Sequence, residues 1–208
     1  WGICARHDEL VVKHFQGEAD RHTYVLVDVS ASMALGEPPK LDAARRAAAA
    51  VAYVALANME KVALSAFSNR IVADRPPLRE KTRMGKVLRF LDGLAPGSDS
   101  TDLTRVAEAF VRRGQRPGLA VVISDWYDPG GVRRAMDVLR WSGYPPRVVH
   151  VYDPADAEPG AIGETVLADV ETGAAWETTI KERHLAAYRE VYRKFRRSIR
   201  SYSDAYGL

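Results

Sequence analysis

Asp28-Val29-Ser30-Ala31-Ser32 sets a carboxylate and two hydroxyls at alternate positions, directly after the short apolar run Tyr24-Val25-Leu26-Val27. A carboxylate at the end of a buried run needs a partner, because an unpaired charge out of water is costly. Two other segments offer the same class of atom. Thr101, followed by Asp102, opens a periodic stretch, and Asp125 closes Leu119-Ala120-Val121-Val122-Ile123-Ser124. Oxygen ligands without imidazole or thiolate suit a hard divalent cation: Mg²⁺, or in its place Mn²⁺ or Ca²⁺. Mg²⁺ takes about six oxygens and retains waters. Asp28, Ser30, Ser32, Thr101 and Asp125 would therefore hold the ion and leave a position for an outside ligand. Taken singly each residue is ordinary: Ser30 and Ser32 as loop serines, Thr101 as a helix N-cap, Asp125 as a turn residue. Their joint order carries the metal reading.

Catalytic motifs are missing from the sequence. It contains no Gly-x-Ser-x-Gly elbow, no His-Glu-x-x-His and no phosphate-binding loop. Ser30 with His22 or His150 would make a nucleophile and base, but nothing in the sequence places them together, and Asp28 lacks the second aspartate two positions on that a phosphatase nucleophile would have. The expectation is a non-catalytic site. A metal-dependent hydrolase using the same ion is the competing class.

Strands and helices must place these residues. Residues 24–28, 61–67, 119–123 and 146–152 read as strands, and residues 40–59, 84–94, 101–113, 131–141 and 181–202 as helices. Residues 70–73 suggest a short edge strand, closed by Pro76-Pro77. Alternation of the two types argues for an α/β domain, a mostly parallel sheet covered on both faces. Ligands of such sheets bind past the carboxyl ends of the strands, where Asp28 and Asp125 fall. Two apolar stretches around Glu171-Thr172-Gly173 form a β-hairpin, an insertion over residues 163–180. The expectation is one domain over residues 1–208, with residues 1–20 as an N-terminal extension.

Of the 208 residues, 47% are apolar and 27% charged, the balance of a water-soluble globular chain. Cys4 is the only cysteine, which rules out an internal disulfide and fits a cytoplasmic setting. No apolar run is long enough to span a membrane. The chain begins at Trp1 rather than Met, as a piece of a longer protein would. Residues 181–200 hold eight basic and two acidic residues, so the basicity is local. That helix offers a second alternative, nucleic-acid binding. Its stripe Leu185, Tyr188, Tyr192, Phe195, Ile199 and Tyr202 instead favours a sheet-covering helix with a solvated basic face. Trp126 and Tyr127, beside Asp125, suit either partner anchors or core packing.

The pattern Asp28-x-Ser30-x-Ser32, Thr101-Asp102 and Asp125 resembles a von Willebrand factor A-type domain with its metal-ion-dependent adhesion site. A narrower resemblance runs through Glu9-Leu10-Val11-Val12-Lys13, Tyr24 to Asp28, Lys40-Leu41-Asp42-Ala43-Ala44-Arg45-Arg46, Ala55-Leu56-Ala57-Asn58 and Pro117-Gly118-Leu119-Ala120-Val121-Val122-Ile123-Ser124-Asp125. These segments are similar to the bacterial branch called domain of unknown function 58. The resemblance implies a Rossmann-like fold and metal contact through Ser30, Ser32 and Thr101, with Asp28 and Asp125 acting directly or through water. It also implies a protein partner that supplies an Asp or Glu to the ion. Members of that branch are associated with MoxR-type AAA+ ATPases, which implies a chaperone-like or assembly role. Two departures stand out: Ser98-Asp99-Ser100 where the family loop is usually glycine-rich, and the bulky Trp126.

Overall fold

The computed structural model describes residues 21–128, 130–160 and 162–207. The expected extension at 1–20, with the Glu9–Lys13 segment, lies outside them. Five strands build the central sheet. They are β1 (His22–Asp28), β2 (Lys61–Phe67), β3 (Ile71–Leu78), β4 (Leu119–Ser124) and β5 (Pro146–His150). Their order is β3-β2-β1-β4-β5; every pairing is parallel except β2 with β3. Among the described residues the longer helices are α1 (Lys40–Ala57), α2 (Met84–Asp92), α3 (Leu103–Val111), α4 (Val132–Trp141) and α5 (Glu182–Tyr206). The protein is thus a mixed α/β fold with a mostly parallel central sheet.

Two cores flank that sheet. Val25, Val27, Val121 and Ile123 point to a layer closed by α1 and α2, while Tyr24, Leu26, Ala120 and Val122 point to one closed by α3, α4 and α5. Burial on both faces explains why the central strands read as continuous apolar runs rather than alternating ones. On α1 the buried positions Ala44, Ala48, Ala52 and Ala55 bring its backbone close to the sheet. In the opposite layer Tyr24, Phe110 and Tyr144 meet edge to face, with centroids 5.1–5.6 Å apart.

Two differences from the sequence reading have a clear local cause. β3 continues through Pro76-Pro77 to Leu78 instead of stopping at Ala73. It is an edge strand, and its register skips between the Leu64 and Val62 pairings, so two residues without an N–H are accommodated there. Helix α3 starts at Leu103, not Thr101, because Asp102 is its N-cap and accepts from the Arg105 N–H. Beyond the sheet, β6 (Gly163–Ala168) and β7 (Ala175–Ile180) form an antiparallel hairpin that pairs only with itself. No described helix is long and apolar enough to cross a membrane.

Candidate metal centre

β1 and β4 are neighbours whose connections leave in opposite directions, so their carboxyl ends border the crevice where such sheets bind ligands. Asp28 ends β1 and Asp125 follows β4; both side chains are fully buried. After Asp28 the chain turns into a short 3₁₀ turn (Ala31–Ala34), and the Ser30 N–H donates to Asp28 Oδ1 at 2.8 Å. The turn brings the Ser30 and Ser32 hydroxyls within 3.2 Å of each other. Thr101 donates its hydroxyl to Asp28 Oδ2 at 3.4 Å, and Ser124 donates to the same oxygen at 2.5 Å. Released from the capping role that Asp102 takes, the Thr101 hydroxyl faces the site.

Backbone stitching holds the three segments in register. Gly97 donates its N–H to the Val29 carbonyl at 2.6 Å, and Ala31 donates to the Asp99 carbonyl at 3.2 Å. The Asp99 carboxylate does not join the site; it lies 3.9 Å from Arg70. Asp128 accepts from the Leu103 N–H at 3.0 Å, tying the loop after β4 to the start of α3.

Charge in this buried space is only partly balanced. Burial, and next the charge of Asp125, push the Asp28 carboxyl from its ordinary 3.8 up to about 6. Asp125 has a partner that the sequence reading missed. Lys40, itself buried, donates to Asp125 Oδ2 at 2.7 Å and to Asp156 Oδ2 at 3.5 Å. Its ammonium also lies 5.0 Å from the Tyr127 ring centre. The clue was present in the chain: a lysine as the first residue of a helix opposes the helix dipole, unless something negative holds it there. Ser124, adjacent to Asp125 and fully buried, was missed too. It accepts from the Trp126 N–H at 2.8 Å as it donates to Asp28.

Among the described residues no group of three or more His, Cys, Asp and Glu side chains is suited to hold a metal. The β1–β4 crevice presents a different donor set, two carboxylates and three hydroxyls, and a surplus of negative charge. Oxygen donors and surplus charge are what a hard divalent cation requires.

The family of proteins of unknown function designated DUF58 matches residues 1–201. The chain belongs to this bacterial family. Uncharacterised proteins of Mycobacterium bovis and Mycobacterium tuberculosis are 28% identical to it over 185 residues, covering 86% of this chain. The matched region is 58% of those relatives' own length. An uncharacterised Mycobacterium avium protein is 36% identical over 86 residues, 41% of this chain and 50% of its own. The conserved hypothetical protein BatB of Bacteroides thetaiotaomicron superposes with a TM-score of 0.51 at 16% identity, over 82% of this chain and 87% of that one. This last likeness is one of fold.

Other signals in the DUF58 chain resolve simply. Trp126 is fully buried, with its indole N–H on the Val149 carbonyl at 3.3 Å, so it is core rather than an exposed anchor. Tyr127 is half-buried and stacks on Phe195 of α5 at 5.3 Å. His22 stands at the start of β1, the end of the strand away from Ser30, and His150 packs on Tyr152 and Phe195. On α5, Arg193 and Lys194 pair with Glu190, Arg200 with Asp204, and Arg189 with Glu158 and Glu182. Arg196 covers the Tyr152 ring at 4.3 Å. Much of the basic face is therefore neutralised within its own surroundings.

Proposed function

We propose that this chain is a von Willebrand factor A-type docking domain that binds a protein partner through a divalent cation, without turnover. One observation carries the reading: oxygens from three separate segments converge on Asp28 at the sheet's switch point. Asp28, Ser30, Ser32, Thr101 and Asp125 would hold Mg²⁺, Mn²⁺ or Ca²⁺. When bound, the ion supplies an electrophilic point for a carboxylate. Lys40 holds Asp125 in place, and Ser124 orients Asp28. Three of the five donors are neutral and Lys40 offsets the charge of Asp125, so the ion keeps part of its pull on an outside Asp or Glu. Ser30 faces Ser32, while His22 and His150 sit elsewhere, an arrangement that favours docking over nucleophilic chemistry.

A MoxR-type AAA+ ATPase is the partner that the family resemblance implies, and an assembly or chaperone-like role follows from it. The test is binding of a purified MoxR-type ATPase to immobilised chain in Mg²⁺ and in EDTA. Retention in Mg²⁺, with loss in EDTA and in Asp28→Ala, is expected. Equal retention under all three conditions rejects the cation-dependent reading.

A further inference from the structure

β5 is an edge strand of the central sheet, paired with β4 on one side and with no other strand among the described residues. Its ladder to β4 uses every second residue. The Ala120 N–H donates to the Pro145 carbonyl, and the Val151 N–H donates to the Ser124 carbonyl. Val148 and His150 fall between the bonded positions, so their N–H and C=O groups point off the sheet. The opposite edge, β3, is interrupted by Pro76-Pro77 and by two register shifts. β5 has a proline only at its first position, Pro146, and the rest of its edge is open to another strand.

Helix α5 runs back alongside this edge. Near its start Tyr188 donates to the Asp156 carbonyl, beyond the end of β5. Near its finish Tyr206 lies under Arg140 of α4, the helix that leads into β5. Between these ties Val148 and His150 line a cavity of about 500 Å³ together with Arg193, Arg196, Arg197 and Arg200. The four arginines stand at i, i+3, i+4 and i+7, on one face of the helix. Arg193 and Arg200 pair with Glu190 and Asp204 at the surface, where such pairs are weak. Arg197 has no acidic partner among the described residues. His150 also has a polar atom to spare: its Nε2 is buried without a hydrogen-bond partner.

Edge and arginines together suit one kind of occupant. Side chains on one face of a strand recur about every 6.6–6.8 Å, close to the helical pitch of about 5.4 Å. An extended peptide laid along β5 would carry carboxylates on alternate residues, roughly in step with Arg193 and Arg197 and with Arg196 and Arg200. Guanidinium groups take carboxylates through paired N–H donors. A polynucleotide has no N–H and C=O ladder to offer the strand edge.

We propose that the free edge of β5, with the arginine face of α5 beside it, is a docking groove for an extended acidic segment of a partner protein, which adds to the central sheet as a sixth strand. The groove uses none of the five candidate metal donors, so this inference stands or falls separately from the cation reading.

The probe is a short peptide of alternating Glu and Val, titrated in EDTA into the chain and into the double variant Arg197→Gln, Arg200→Gln. Both arginines are exposed, so the variant should fold as the parent does. Loss of two such pairs is expected to weaken binding about 5–30-fold. In the parent, bound peptide should slow amide exchange at Val148 and His150. The same peptide N-methylated at every residue keeps its charge but cannot form the ladder, and should bind more weakly and leave both amides unprotected. No binding by the parent, equal binding by the double variant, or no protection of Val148 and His150 would each overturn the proposal. Single-stranded DNA bound more tightly than the peptide, and lost in the double variant, would overturn it in favour of nucleic acid.

Discussion

Replacing Asp28 by Asn should stabilise the metal-free chain while abolishing its cation binding. The carboxyl is moved from 3.8 to about 6, which corresponds to about 3 kcal/mol in favour of its neutral form. Burial is the larger cause and the Asp125 charge the next, so a neutral isostere removes both at once. Against this, the Asn amide group meets the hydroxyls of Ser124 and Thr101, which must turn to accept from it. Imperfect geometry there costs about 1 kcal/mol. The net expectation is a gain of about 1–2 kcal/mol at neutral pH. The pH dependence has a definite sign. The folded carboxyl holds its proton more tightly than the unfolded one, so the parent loses stability as pH rises from 3.8 to about 6 and stays level above. Asp28→Asn lacks that fall. Urea unfolding in EDTA across this range measures both, and added Mg²⁺ should raise the midpoint of the parent alone. A variant less stable than the parent in EDTA at neutral pH refutes the reasoning. It would mean that the site is satisfied around an ionised Asp28 without any added cation.

Lys40→Met leaves Asp125 and Asp156 without their buried cation and should cost about 3–5 kcal/mol in urea unfolding, with part of the loss restored by Mg²⁺. An unchanged midpoint would show that the Lys40–Asp125 pair carries no weight. Neutralising Arg193, Arg196 and Arg197 together should leave retention on DNA or RNA at physiological salt as weak as in the parent, because Arg193 already pairs with Glu190 and Arg196 covers the Tyr152 ring. Strong, salt-sensitive retention by the parent that disappears in the triple variant would instead favour nucleic-acid binding.

Much of the fold can be read from the chain because its central strands are buried on both faces. Tyr24 to Val27 and Leu119 to Ile123 are short, β-branched runs bounded by polar residues, a strong local signal. β3 was harder, since Pro76-Pro77 normally signals a stop, and only its edge position permits continuation. The site divides in the same way. Asp28, Ser30 and Ser32 lie within one local motif, and Thr101 and Asp125 are marked by their places beside predicted elements. Lys40 reaches the site across 85 residues of chain, to Asp125. Local periodicity carries no information on such pairings. The helix expected to open at Thr101 begins two residues later, because Asp102 rather than the neighbouring Thr101 takes the N-cap.

Lys40 also bears on what chelation does to this molecule. In small zinc domains the metal is the fold, and removing it dissolves the structure. Here a covalently tethered ammonium stays behind whatever the medium contains, and two intact hydrophobic layers stand beneath it. Withdrawal of the ion should therefore silence the surface without melting the body. The domain would pass through cycles of depletion and resupply as the same folded object, its readiness to dock set by ambient divalent cation rather than by new synthesis.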